Sequence, residues 1–163
     1  MILRRALRVG LLCLSSLVLP TGLFADQDHS VQTQFTTIRY TQDAALSDFF
    51  WRIRGQRVTV PSGTERAGAW VDELVARVEA LLGMYPDAFH LTIILQPTYQ
   101  DGPIAFYTHH QRSVTVAADR VTDGVLAHEI AHAVISAYFD GPLPKPMQEI
   151  LAQYVDRHLW GGN

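Results

Sequence analysis

The sequence predicts an α+β domain in which a small mixed sheet packs on two consecutive helices near the C-terminus. Three observations carry that expectation. His90-Leu91-Thr92-Ile93-Ile94-Leu95 is an almost wholly apolar run of strand length, the pattern of a strand buried inside a sheet. Ile104 to Thr108 and Ser113 to Ala117 are two more β-rich runs, joined by the turn His109-His110-Gln111-Arg112. After Thr122 the apolar residues recur with helical spacing instead, through two helices that reach Asp156.

The chain has 163 residues, which is room for one folded domain. Its first 25 residues read as a secretory signal. Arg4, Arg5 and Arg8 make a basic start, Val9 to Leu19 is an apolar run too short to span a bilayer comfortably, and Ala25 suits signal peptidase. Residues 26–163 are then the exported domain, periplasmic or secreted, with no membrane span after cleavage. The formal net charge is -3 and 18% of residues are charged, which gives no footprint for nucleic acid. Cys13, the only cysteine, lies inside the signal. A metal site in the exported domain must therefore be built from His, Asp and Glu, which suits an open catalytic site better than a closed structural one.

From Asp26 to Gln34 the chain is polar and reads as a loose lead-in. Phe35 to Tyr40 alternates and is rich in β-formers, so a first strand is expected there. Residues 43–53 predict a short helix, and Arg52, Arg54 and Arg57 read as a solvated face. Val58-Thr59-Val60 predicts another short strand. Thr64 to Gly83 is a long amphipathic helix: Trp70, Leu74, Val78, Leu81 and Leu82 make one stripe, and Gly83 ends it. The apolar strand 90–95 follows, with His90 structural at its start, and then a loop from Pro97 to Pro103.

The chemistry lies in the next helix, which carries His128-Glu129-Ile130-Ala131-His132. Residues four apart on a helix stand one above the other, so His128 and His132 can aim two imidazoles at one metal ion. Glu129 is turned about 100° from His128 and about 60° from His132, beside the metal face, where a general base acting on water belongs. Thr122 or Asp123 can cap this helix, and Asp140-Gly141-Pro142 stops it. Two histidines rarely suffice for a catalytic zinc, so a third ligand is required. A second helix runs from Pro146 to Asp156 and presents Glu149, 17 residues after His132. A short proline-stiffened loop between the helices lets them pack side by side and bring Glu149 to the pair. Asp156, on the same face as Glu149, and His158, on the opposite face, are the competing candidates.

HEIAH followed by PMQEILAQY resembles the gluzincin zinc metallopeptidases, in particular bacterial peptidase MA-like domains. That family pairs HExxH with a later helix of the form P-x-W-x-x-E-G-x-A-E-Y, whose first glutamate is the third zinc ligand. The resemblance implies one Zn2+ held by His128, His132 and Glu149, with Glu129 as catalytic base. Ile150 stands in place of the family's glycine, and Gln153 in place of a frequent acidic residue. The metzincin pattern needs Gly and His where Ile135 and Tyr138 stand, which excludes that class. By the same resemblance the fold is a minimal zincin-like domain. A sheet-edge strand then borders the cleft and pairs with an extended peptide, and the 104–117 hairpin is the candidate.

The expected activity is hydrolysis of peptide bonds by metal-activated water, with a peptide or protein as substrate. Gln153 and Asp156 are candidates to orient the ligand histidines or to brace Glu149. Tyr154, His109 and His110 are candidates to stabilise the developing oxyanion, as are Tyr107 and Tyr138. A non-catalytic envelope binding domain that keeps the same scaffold is the alternative.

Overall fold

A computed structural model describes residues 28–98 and 102–161; the signal segment lies outside the described residues. Along the chain run β1 (His29–Gln32), β2 (Thr36–Tyr40), α1 (Asp43–Arg54), α2 (Thr64–Leu82), β3 (Leu91–Gln96) and β4 (Ala105–Thr108). A 3-10 turn at His109–Gln111 leads into β5 (Ser113–Ala117), and α3 (Asp123–Tyr138) and α4 (Lys145–His158) complete the chain. Among the described residues the fold is α+β: a five-stranded mixed sheet and four α-helices.

Strand order is β1-β2-β3-β5-β4. β2, β3 and β5 are mutually parallel, while β1 and β4 run antiparallel at the two edges. The interior positions go to the strands that can be buried. All five residues of β5 are buried, and β3 alternates buried and half-buried residues. Register puts Ile38 beside Ile93 and Ile93 beside Val114, so these fully buried residues share one face. The helices supply its other half: Leu46, Phe49 and Phe50 from α1, Val71, Leu74 and Val78 from α2, and Leu126, Ile130 and Val134 from α3. Each such large side chain stabilises the fold by about 1.5–3 kcal/mol through burial. Thr37, Thr92 and Thr115 point to the opposite face.

Two stretches differ from the sequence expectation. Residues 29–32 form β1 instead of a lead-in, although only Val31 of the strand is even half-buried. Its pairing is carried by the backbone, by His29 stacked on Tyr40 and by Gln32 accepting from Thr37 Oγ1, and one carboxylate on α2 holds the turn that follows. Asp72 accepts from Thr33 Oγ1 at 2.6 Å and from the amides of Gln34 and Phe35 at 3.0 Å each. Val58-Thr59-Val60 is not a strand. Both edges of β2 are already taken, by β1 and β3, so Val58 and Val60 pack on the core as part of a connection.

The helix ends follow the expected caps with one exchange. Thr122 Oγ1 accepts from the Val125 amide at 3.3 Å, and α2 ends on Gly83 with φ 63°. At the end of α3, the left-handed residue is Asp140 (φ 52°), and Gly141 follows it with its amide bonded to the Ser136 carbonyl at 2.9 Å. The short connection that follows turns α4 back along α3.

Candidate metal centre

One turn of α3 brings His128 and His132 together, with their Nε2 atoms 3.3 Å apart. The Glu149 carboxylate, from the second turn of α4, straddles the pair. Its Oε2 lies 3.6 Å from His128 Nε2 and its Oε1 3.7 Å from His132 Nε2. Donor atoms around a tetrahedral zinc with bonds of about 2.0–2.2 Å stand about 3.3–3.6 Å from one another. The two Nε2 atoms stand at that spacing, and Glu149, with one oxygen near each imidazole, could complete the set after a small adjustment; two imidazoles with one carboxylate would leave a fourth position for a reactant. Among the described residues this is the set of His, Cys, Asp and Glu whose ligand atoms converge, all within 4.8 Å.

The orientation of His132 is held by Gln148, the residue before Glu149. Gln148 Nε2 donates to the Leu143 carbonyl at 2.6 Å, which turns its Oε1 toward His132 Nδ1 at 3.3 Å. A carbonyl oxygen only accepts, so Nδ1 carries the proton and Nε2 keeps its lone pair for a metal. Burial lowers the pKa of His132, and the charges of His128 and Lys145 push the same way against Glu149 and Gln148. The ring therefore stays neutral, as a ligand must, to lower pH than a free imidazole.

Glu129 is half-buried beside the pair, and the Tyr107 backbone amide lies near enough to act on its carboxylate. Burial raises its pKa first of all and the neighbouring Glu149 adds to this, while His128 and the Tyr107 amide oppose it. The Tyr107 amide is available because of β4's register. Ala117 donates to the Ile104 carbonyl, and from there the bonding alternates, so Phe106 and Thr108 spend their backbone groups on β5. Ala105 and Tyr107 turn theirs to the free edge.

A cleft of 530 Å3 contains His128, Glu129, His132 and Glu149, and β4 forms its wall through Phe106 and Tyr107. His109 also lines it, immediately after β4. His110 lines a neighbouring cavity and not the cleft. Tyr154 stacks on His158 with ring centroids 4.2 Å apart on the exposed side of α4, away from the cleft lining. Gln153 is exposed, and Asp156 faces the first turn of α3, where a Cβ on Gly124 would meet its Oδ1 at 2.9 Å. Three contributors to the site have no signature in the sequence: Gln148, the Tyr107 amide, and Ser136, which lines the cleft one turn beyond His132. Spacing offers one clue to Ser136, the eighth residue after His128 and so on the same helix face.

No family model, curated protein or solved structure matches the chain, so the reading of this centre rests on its own donor atoms and their spacing.

Proposed function

We propose that this chain is an exported zinc metallopeptidase of the gluzincin type, periplasmic or secreted, hydrolysing peptide bonds in a minimal zincin-like domain. The observation that carries the reading is the convergence of one ligand atom each from His128, His132 and Glu149 to within 4.8 Å of one another, with a carboxylate that is not part of the set, Glu129, beside them. A bound zinc ion would supply Lewis acidity, polarising the scissile carbonyl and making water acidic enough to lose a proton near neutral pH.

The chain's own groups would do the rest. The free edge of β4 offers the Ala105 backbone and the Tyr107 carbonyl to an extended peptide, which aligns the substrate along the cleft. Glu129 takes one proton from the attacking water as the new C–O bond forms. It then delivers that proton to the amine nitrogen as the C–N bond breaks, so acid and amine products balance the water consumed. Its partial burial moves its basicity toward neutral pH, where a proton shuttle works best. Gln148 keeps His132 in the ligand tautomer throughout. His109, on the cleft wall, is the candidate donor to the developing oxyanion.

The test is metal content and turnover of three forms of the purified protein. The parent is expected to hold one zinc per chain and to cleave a denatured protein substrate. Glu149→Ala should lose both properties. Glu129→Gln should keep the zinc and lose at least about a hundredfold in turnover, the scale of general acid–base catalysis. A parent that folds but takes up no zinc overturns the reading. Zinc bound without any turnover would instead favour the binding-domain alternative.

A further inference from the structure

Ser136 Oγ and His109 Nδ1 are buried without a hydrogen-bond partner, and Ser136 as a whole is only 4% exposed. Tyr107 is near enough for the Ser136 hydroxyl to influence its phenol, but the two do not meet hydrogen-bond geometry. Buried polar atoms are almost always paired, and the exceptions concentrate where a ligand completes them.

The side chains that carry these atoms meet at one place, where a turn about χ1 would bring the covered atoms to the cavity surface. Ser136, His109 and Tyr107 line both the 530 Å3 metal cleft and a second cavity of 710 Å3 that follows α3 to its C-terminal end. They form a neck between the two. Substrate aligned on β4 passes Tyr107 within the cleft, so the neck is where a side chain next to the reacting carbonyl can leave it.

The chemistry of the neck discriminates among side chains. An aliphatic group would leave both polar atoms unpaired. A carboxylate would meet Arg112, which lines the same cavity and acts on Tyr107, but that guanidinium is exposed and screened by water, and Asp87 and Asp140 in the same lining oppose it. A cation would meet only neutral groups at the neck. A carboxamide offers an acceptor and a donor together, and a hydroxyl and an imidazole can each meet one of them.

We propose that this neck is a side-chain subsite and that it takes an uncharged amide, the side chain of asparagine or glutamine, from the peptide residue beside the scissile bond. The inference rests on the peptidase reading for the alignment of the peptide, but its test does not depend on turnover.

The experiment uses the zinc-loaded Glu129→Gln protein, titrated calorimetrically with blocked hexapeptides. Each set carries Asn, Asp or Leu, which are close in shape, at one of the central positions. At one position Asn is expected to bind roughly tenfold or more tightly than Leu and Asp, since a site built for hydrogen bonds rejects analogues that lack them. Adding Ser136→Ala should bring the three peptides to within a fewfold of one another. This variant should melt at the same temperature as its parent or higher, because it removes an unpaired buried hydroxyl, so loss of selectivity cannot be loss of fold. A His109→Phe variant should weaken the Asn preference independently.

Equal binding of Asn and Leu at every position overturns the proposal, as does an Asn preference that survives both substitutions. So does the absence of any peptide binding. An intact Asn preference in a protein whose parent cleaves nothing would sink the peptidase reading and leave the subsite standing.

Discussion

At the scale of single residues, Gln148 has more influence than its exposure on α4 would indicate. Its amide is fixed from one side by the Leu143 carbonyl and from the other by His132 Nδ1. That arrangement allows one tautomer of His132 and turns its lone pair toward Glu149. Without Gln148 the ring could rotate or place its proton on Nε2, and each wrong state must be undone before a metal binds. Gln148→Ala is therefore expected to weaken zinc binding by about 10–100-fold, in the range typical of groups that orient ligand histidines. Competition with a chromophoric chelator measures this directly. Unchanged affinity would mean that α4 packing alone orients the ring. Gln148→Glu should recover much of the loss, because a carboxylate also accepts from Nδ1–H.

At the scale of elements, β1 shows how a strand forms with almost no hydrophobic signal. Its residues His29–Gln32 are mostly exposed, and the turn after them is tied to α2 by Asp72. One carboxylate accepting from a hydroxyl and two amides replaces the apolar stripe that usually commits a strand to a sheet. Asp72→Ala should cost about 2–3 kcal/mol, since it leaves the turn's donors without their charged acceptor. Urea unfolding gives the loss, and amide exchange should be fastest in β1, whose other anchors are few. Such a tie spans almost forty residues of sequence and no local pattern announces it. Val58-Thr59-Val60 fails in the opposite way: the composition is that of a strand, but the sheet has no free edge there. By contrast β3, α2 and α3 were legible because their signals are local. An apolar run, a stripe at helical spacing, a threonine cap and a terminal glycine each act within a turn or two. His128, Glu129 and His132 were legible for the same reason, since one helix sets their geometry. Gln148 and the Tyr107 amide were not, because they matter only once α4 and β4 have docked against α3.

At the scale of the whole molecule, the candidate centre joins elements that are otherwise held by packing and a few clips. Glu149 comes from α4, the histidines from α3, and Glu129 stands near the Tyr107 amide on β4. The far end of α4 is fastened separately. Trp160 Nε1 donates to Asp123 Oδ2 at 2.6 Å, and the Arg77 guanidinium lies 4.8 Å from the Trp160 ring. The first turns of α4 are held to α3 by Gln148 and carry exposed Met147 and Ile150, so the metal would add a second tie there. Metal binding is then folding free energy: a hundredfold excess over Kd adds about 2.7 kcal/mol, or on the order of 10 °C in Tm for a domain of this size. Chelation should remove that increment, and Glu149→Ala should abolish the response to zinc while melting near the metal-free parent. The pH dependence has a definite sign. Because the folded pKa of His132 is lowered, the unfolded chain takes up its proton first as pH falls below 6.5, so the contribution present above that pH is lost on acidification. Zinc adds to the same slope, since protons compete with it for both histidines. Scanning calorimetry at pH 7.5 and pH 5.5, with and without chelator, should find the zinc increment smaller at the lower pH. An increment unchanged between the two would mean that the ion is held elsewhere than on these imidazoles.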